Sequence, residues 1–164
     1  MTTDDIARLT DAQVLGLTGA GEARAMLVPG HGWQPAPLSN MIAVMCTSIN
    51  RVKANPARFG ADVSDVCFEH AQYSCWNARS GSNHDWLMSQ AAAIVRNASV
   101  APVVRQCITA AEQLLAGTIP DAVHGATYYY SPLSMVPAGR VPIWARGKVP
   151  CATIGDQFVF FKNI

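Results

Sequence analysis

Glu22 is the residue whose type and setting best suit catalysis. It follows Leu15 and Thr18 at the spacing i, i+3, i+7, so a helix places all three residues on one face. A carboxyl group beside an apolar stripe is costly to ionise, which suits a general acid working near neutral pH. The alternative is a solvated helix glutamate, paired with Arg24 or Lys53.

Cys75 is a second candidate, as the nucleophile of a Cys–His pair with His84 or His124. A catalytic cysteine usually lies at the N-terminus of a helix, whose dipole lowers the thiol pKa. Cys75 stands between Ser74 and Trp76, in a segment without a clear helix start. Structural packing is therefore the better interpretation of this thiol.

The histidines and the remaining cysteines do not predict a metal or another cofactor. The histidines show no HExxH or HxH spacing, and the 5 cysteines include no CxxC pair. A zinc amidase would need ligands that are distant in sequence. Cys46 and Cys107 fall within apolar helical patterns, which is typical of free buried thiols, whereas a pairing of Cys67 with Cys75 stays open.

Aromatic residues in predicted loops and short strands indicate a sugar-binding surface. The C–H faces of sugars pack against aromatic rings, and sugar hydroxyls need amide groups such as those of Gln72, Asn77 and Asn50. Several of the rings should instead fill the core. The residues concerned are Trp33, Tyr73, Trp76, Tyr128, Tyr129, Tyr130 and Trp144.

Composition excludes several classes of protein. A chain of 164 residues with 14% charged residues can bury a core as one domain, residues 1–164. The net charge of +1 and the scattered basic residues argue against a nucleic-acid partner, and no apolar run is long enough for membrane insertion. The acidic start, Met1–Asp5, is unlike a signal peptide, so we expect synthesis in a cytoplasm. We also expect a monomeric protein.

The hydrophobic pattern predicts a helical body followed by a small sheet. Thr10-Asp11 and Ser39-Asn40 are predicted to cap the first two helices, and Gly155-Asp156 is predicted to form a hairpin turn. The stretch 28–39, rich in proline and glycine, is predicted to be an ordered loop. The predicted helices span residues 11–26, 41–53, 84–97 and 100–116, and the predicted strands span 127–130, 141–145 and 158–161.

An ordered series of motifs resembles one known family. The series contains Glu22-Ala23-Arg24, Asn50-Arg51-Val52, Gln72 to Asn77, Tyr128-Tyr129 and Pro142-Ile143-Trp144. Together they resemble the cell-wall hydrolase family of spore cortex-lytic enzymes, to which small phage and bacterial wall lysins also belong. The resemblance implies an α+β, lysozyme-like fold and cleavage of the MurNAc–GlcNAc bond in peptidoglycan glycan strands, with Glu22 as the catalytic acid.

The resemblance also implies the type of reaction, and the aromatic and polar side chains described above supply the expected binding residues. Members of the family often act as lytic transglycosylases, in which the C6 hydroxyl of the sugar attacks, so no second carboxylate is required. Asp65 and Glu69 are the nearest second acids. The residues expected to hold the glycan are Asn50, Gln72, Tyr73, Ser74, Trp76, Asn77, Tyr129 and Trp144.

Two departures from the family pattern concern the surroundings of Glu22. Residues 25–40 are longer and richer in proline than usual, and Gln157 stands where a histidine is common. We expect the longer segment to form a wall of the sugar groove or a lid.

The expected role is that of a phage endolysin that reaches the wall after its release from the host cytoplasm. One alternative is a non-catalytic wall-binding or virion structural protein, which would bind sacculi without releasing sugar ends. Another is a wall peptidase that depends on Cys75, which would lose activity on Cys75→Ser.

Overall fold

The first long helix, α1 (Asp11–Ala23), begins where the sequence predicts it. The computed structural model of the chain describes residues 6–69, 72–77 and 81–162. The Thr10 hydroxyl accepts the amide of Gln13 at 3.3 Å, and the Gln13 side chain accepts the amide of Thr10 at 2.9 Å, so the two form a capping box. The helix ends before the predicted limit near Met26, because residue 25 already belongs to a strand.

The segment predicted to be an ordered loop instead forms a β-hairpin, which corrects that prediction. Strands β1 (Ala25–Val28) and β2 (Gly32–Pro35) pair antiparallel, with Leu27 opposite Trp33. Gly30 and Gly32 have positive φ angles of 79° and 71°, which the tight connection requires. The prolines lie at the turn and at the strand end, where they cost no ladder hydrogen bond.

Helix α2 (Leu38–Ala54) is longer than predicted and begins earlier. The expected cap at Ser39-Asn40 is wrong, because both residues lie in its first turn and Pro37 occupies the cap position without a side-chain hydrogen bond. The next residue, Asn55, accepts the amide of Arg58 at 3.0 Å and so caps the short helix α3 (Pro56–Phe59).

Three more helices complete the helical body around α1. They are α4 (Val63–Phe68), α5 (Ser82–Val95) and α6 (Pro102–Leu115), and a 3₁₀ turn covers Ser74–Trp76. The helices predicted over 84–97 and 100–116 are therefore confirmed with small shifts of their ends. Helix α1 contacts α2, α4, α5 and α6, and most of its residues are buried.

A three-stranded antiparallel sheet follows the helices. Strands β3 (Tyr128–Tyr130), β4 (Ala152–Ile154) and β5 (Phe158–Phe161) lie in the order β3-β5-β4, and the predicted Gly155-Asp156 turn joins β4 to β5. The strand predicted over 141–145 is wrong: Ile143–Ala145 form a 3₁₀ turn, since Pro142 cannot donate to a ladder. The predicted α+β class is confirmed, and the likeness to lysozyme stays a prediction.

The cysteines are free thiols. Cys46 and Cys107 are buried, which confirms that prediction, and Cys67 and Cys75 are buried without pairing to each other. None of the helices in the described part of the chain combines the length and apolar character of a membrane span.

Close packing of α1 on α6 yields a stability prediction. A Cβ atom added at Gly16 would lie 2.7 Å from the backbone nitrogen of Ile108, whereas one added at Gly19 would lie 2.8 Å from the Met45 side chain, at its Cγ atom. Gly16→Ala must push two backbones apart, so we expect the free energy of unfolding to fall by about 1–3 kcal/mol.

Urea unfolding followed by circular dichroism measures this change. Gly19→Ala is the comparison variant, and we expect it to be less damaging because its shortest contact is with a side-chain atom of Met45, while the nearest backbone atom, the Met41 carbonyl oxygen, is 3.2 Å away. A Gly16→Ala protein as stable as the wild type would contradict the proposed helix contact.

Candidate active site

Glu22 lies in the last turn of α1 with its side chain partly exposed. Its Oε1 atom accepts hydrogen bonds from the Cys75 backbone amide at 2.7 Å and from the Ser74 hydroxyl at 3.1 Å. Its Oε2 atom accepts the Tyr129 hydroxyl at 3.3 Å. Three donors from two distant segments therefore fix the orientation of this carboxylate.

The 3₁₀ turn at residues 74–76 is anchored to α1. The indole nitrogen of Trp76 donates to the Thr18 hydroxyl at 2.8 Å, and Thr18 in turn donates to the Val14 carbonyl at 2.8 Å. Gly21 makes the close approach possible, because a Cβ atom there would lie 2.7 Å from the Cβ of Cys75. This contact holds the Cys75 amide within reach of the carboxylate.

Arg24 belongs to a separate cluster. Its guanidinium lies 3.7 Å from the centre of the Trp86 ring, and its Nη1 atom donates to Asn83 Oδ1 at 2.6 Å. The Asn83 amide donates to the Gly21 carbonyl at 3.1 Å. Arg24 therefore stabilises the end of α1, and no hydrogen bond joins it to Glu22 among the described residues.

Glu22 faces an open cavity of about 530 Å³. Aromatic rings, two arginines, two glutamates and uncharged polar groups share its surface, which is a suitable lining for a polar ligand with apolar faces, such as a sugar chain. The lining residues are Glu22, Arg51, Arg58, Phe59, Glu69, Gln72, Ser74, Tyr128, Tyr129 and Trp144.

Part of the predicted binding set lines this cavity. Gln72, Ser74, Tyr129 and Trp144 do so together with Glu22. The Gln72 amide donates to the Phe59 carbonyl at 3.3 Å, so its position depends on helix α3.

The other predicted binding residues point elsewhere. Tyr73 is buried, with its hydroxyl 2.7 Å from that of Ser48, and Asn50 donates to Asp121 at 3.1 Å and to the Ala126 carbonyl at 3.2 Å. The Trp76 indole nitrogen donates to the Thr18 hydroxyl. Asn77 does not line the cavity either. Their positions support roles in holding the fold rather than in contacting a sugar.

Five lining residues lie outside the set expected to hold the glycan, although Tyr128 was among the aromatic candidates for a sugar-binding surface and Glu69 among the candidate second acids. Arg51 and Tyr128 belong to the motifs of the resemblance, but their side-chain directions depend on how α2 and β3 pack. Arg58, Phe59 and Glu69 come from short helices, or their ends, in a region without a clear hydrophobic period. Arg51 gave no clear signal either, because basic residues are common in the last turn of a helix, where Lys53 also lies.

The Cys75 thiol is unsuited to nucleophilic catalysis. It is fully buried, and burial, reinforced by the neighbouring Glu22 carboxylate, raises its pKa far above the usual range. His84 Nδ1 lies 3.3 Å from the Cys75 carbonyl oxygen, so the imidazole faces the backbone. The Cys75 backbone amide, rather than its thiol, serves the site.

The Tyr129 hydroxyl keeps its proton. Burial and the charge of Glu22 raise its pKa well above the ordinary value. It therefore remains a hydrogen-bond donor at neutral pH, since the tyrosinate form would have to ionise beside a carboxylate.

No cluster of three or more His, Cys, Asp or Glu side chains suited to a metal ion occurs within residues 6–69, 72–77 and 81–162. His70, one of the four histidines considered from the sequence, lies outside the described residues.

Comparison with known protein families gives one match. A family described as cell wall hydrolase matches residues 36–161, which is most of the chain and includes every cavity-lining residue except Glu22. Comparison with curated proteins and with solved structures gives no match.

Thiol burial predicts a selective pattern of chemical labelling. Burial raises the pKa of Cys46 and Cys67 to about 11 and that of Cys107 to about 12, whereas Cys151 is only half-buried. Because the thiolate is the reactive form, we expect a disulfide reagent at pH 8 to label Cys151 first in the folded protein.

Counting labelled thiols by mass spectrometry measures this, and Cys151→Ser should remove the fast phase. Unfolding in urea should expose all 5 thiols as the control. Rapid labelling of Cys75 in the folded protein would contradict the described burial.

Proposed function

The chain belongs to the cell wall hydrolase family, so its substrate is peptidoglycan, and we propose that it cuts the MurNAc–GlcNAc bond with Glu22 as general acid and base. The observation that carries this proposal is the oriented Glu22 carboxylate in a cavity with aromatic and polar walls. Acid catalysis needs a carboxyl group within hydrogen-bond reach of the leaving oxygen, and a fixed orientation supplies it.

The hydrogen bonds to Glu22 support one assignment of the two oxygens within this proposal. Oε1 accepts the Cys75 amide and the Ser74 hydroxyl, so it acts as an acceptor. We therefore assign the proton for the glycosidic oxygen to Oε2, which still has a lone pair to accept the Tyr129 hydroxyl. After the glycosidic bond breaks, the Tyr129 hydroxyl can donate to the Glu22 carboxylate and hold it in place until it accepts a proton again.

We further propose a lytic transglycosylase reaction. Glu22 donates its proton to the glycosidic oxygen as the bond from MurNAc C1 breaks, and the C6 hydroxyl of the same sugar then attacks C1. Glu22 takes the hydroxyl proton, so the product carries a 1,6-anhydro ring and no water is consumed. Glu69 is exposed on the cavity wall, and this route assigns it no covalent role.

Aromatic rings form the wall that would receive the sugar faces. Tyr128 and Trp144 lie with ring centres 5.6 Å apart, and Phe59 meets Tyr128 edge-on at 5.9 Å. Ser74 and Gln72 supply polar groups on the same cavity. The roles of phage endolysin and of monomer stay predictions.

Replacing the acid tests the proposal directly. Glu22→Gln keeps the shape and the ability to accept from Cys75, but it removes the titratable proton. We expect the rate of peptidoglycan solubilisation to fall by about 10²–10⁴-fold. Turbidity clearing of purified sacculi measures the rate.

Glu69→Gln is the matched control, because it neutralises the other carboxylate of the same cavity. We expect it to retain activity within about tenfold of the wild type. Full lysis by Glu22→Gln would refute the assignment, and binding to sacculi without lysis by the wild type would favour a non-catalytic wall protein.

The products distinguish the two glycosidase mechanisms. A transglycosylase leaves anhydro ends that are lighter by one water than the reducing ends left by a hydrolase. We expect mass spectrometry of the released fragments to show anhydro-MurNAc ends. Reducing MurNAc ends alone, together with loss of activity in Glu69→Gln, would instead support hydrolysis with two carboxylates.

A further inference from the structure

Arg51 is a buried cation without an anionic partner among the described residues. Its side chain is 7% exposed, and its Nε atom donates to the Thr127 carbonyl at 2.7 Å. Its Nη1 atom is buried and has no hydrogen-bond partner in the described part of the chain. The guanidinium is therefore held through Nε, whereas its Nη1 atom lacks a hydrogen-bond acceptor among the described residues.

Aromatic rings fix the position of the charge without neutralising it. The guanidinium carbon lies 5.1 Å from the Tyr73 ring centre, 5.8 Å from that of Phe59 and 6.0 Å from that of Tyr128. Ring faces attract a cation, but they do not replace the hydrogen-bond acceptors that it loses on leaving water. The guanidinium is thus held in a fixed position with its hydrogen-bonding capacity incompletely used.

The opening next to Arg51 is the Glu22 cavity, which Arg51 lines. Glu22 and Glu69 are the carboxylates of this lining, and Arg58 is its second cation. Arg58 lies over the rings of Phe59 and Tyr128, at 5.1 Å and 5.6 Å. The two arginines of the lining thus come from α2 and α3, and both lie beside the rings of Phe59 and Tyr128.

We propose that Arg51 binds a carboxylate group of the glycan substrate while Glu22 acts on the adjacent bond. The planar guanidinium suits a carboxylate, because two parallel N–H groups can pair with its two oxygens. This inference rests on the proposed function and assigns the enzyme a preference for anionic over neutral glycan strands.

Two groups on peptidoglycan supply such a carboxylate. One is the lactyl carboxylate of MurNAc, which is free wherever the stem peptide has been removed. The other is a carboxylate within the stem peptide itself. Both present the same chemistry to Arg51, so modified glycans must distinguish them.

Binding to the Glu22→Gln protein tests the proposal without turnover. Calorimetry would compare four soluble glycans: peptide-free strands, the same strands with their carboxylates converted to methylamides, peptide-bearing strands, and peptide-bearing strands with amidated carboxylates. We expect amidation to weaken binding by about 10- to 100-fold in whichever pair carries the recognised group.

If amidation lowers the affinity only of the peptide-free strands, the recognised group is the lactyl carboxylate. If amidation lowers the affinity only of the peptide-bearing strands, the recognised group lies in the stem peptide. Equal affinity within both pairs overturns the proposal. The wild-type protein gives the same comparison through kcat/KM, so the test survives even if a variant of the buried arginine fails to fold.

Substitution of Arg51 assigns the effect to this residue. We expect Arg51→Gln to abolish the preference for free carboxylates, and Arg51→Lys to restore part of it because the charge remains. Lys53→Gln is the matched control, since it removes one positive charge from the exposed side of the same helix. An unchanged carboxylate preference in a folded Arg51→Gln protein would overturn the assignment.

The two proposals fail in different ways. If the wild type solubilises no glycan of any kind, the proposed glycosidase function fails. If it cleaves neutral and anionic strands equally well, the glycosidase function is supported and the proposed role of Arg51 is refuted.

Discussion

The contact between Gly21 of α1 and the 3₁₀ turn at Cys75 is the constraint on which the site depends. A side chain at Gly21 would occupy the space of Cys75, so only glycine lets the turn approach the helix. That approach places a backbone amide 2.7 Å from Glu22 Oε1. A backbone donor loses no side-chain entropy when it binds, so the orientation of the carboxylate is established by the fold itself.

The sheet supplies the third hydrogen-bond donor to the Glu22 carboxylate. Tyr129 of β3 reaches Glu22, and its ring packs on Phe158 and Phe160 of the neighbouring strand, with centres 5.5 Å and 5.7 Å away. The next residue on each side of Tyr129 contacts Trp144, so the three consecutive tyrosines connect the acid to the aromatic cluster. The site is therefore shared between the helical body and the sheet.

The sequence was informative where local rules decide the outcome. The cap at Thr10, the helical periods and the glycine turn before β5 each specify structure within a few residues. The position of Glu22 beside Thr18 and Leu15 was likewise available from spacing. Side-chain direction in residues 50–77 was not, because Tyr73 and Asn50 face the interior only once α2 has packed against its neighbours. The hairpin after α1 was missed since its prolines and glycines resemble those of a loop.

Strand order has a consequence for the timing of synthesis. Tyr129 is held by β5, and β5 follows Glu22 by most of the length of the chain. A polypeptide still emerging from the ribosome has its helices before it has this strand, so its acid lacks the tyrosine donor and its aromatic wall is unsupported. The Tyr129 donor can therefore be held in place beside Glu22 only after β5 has been synthesised.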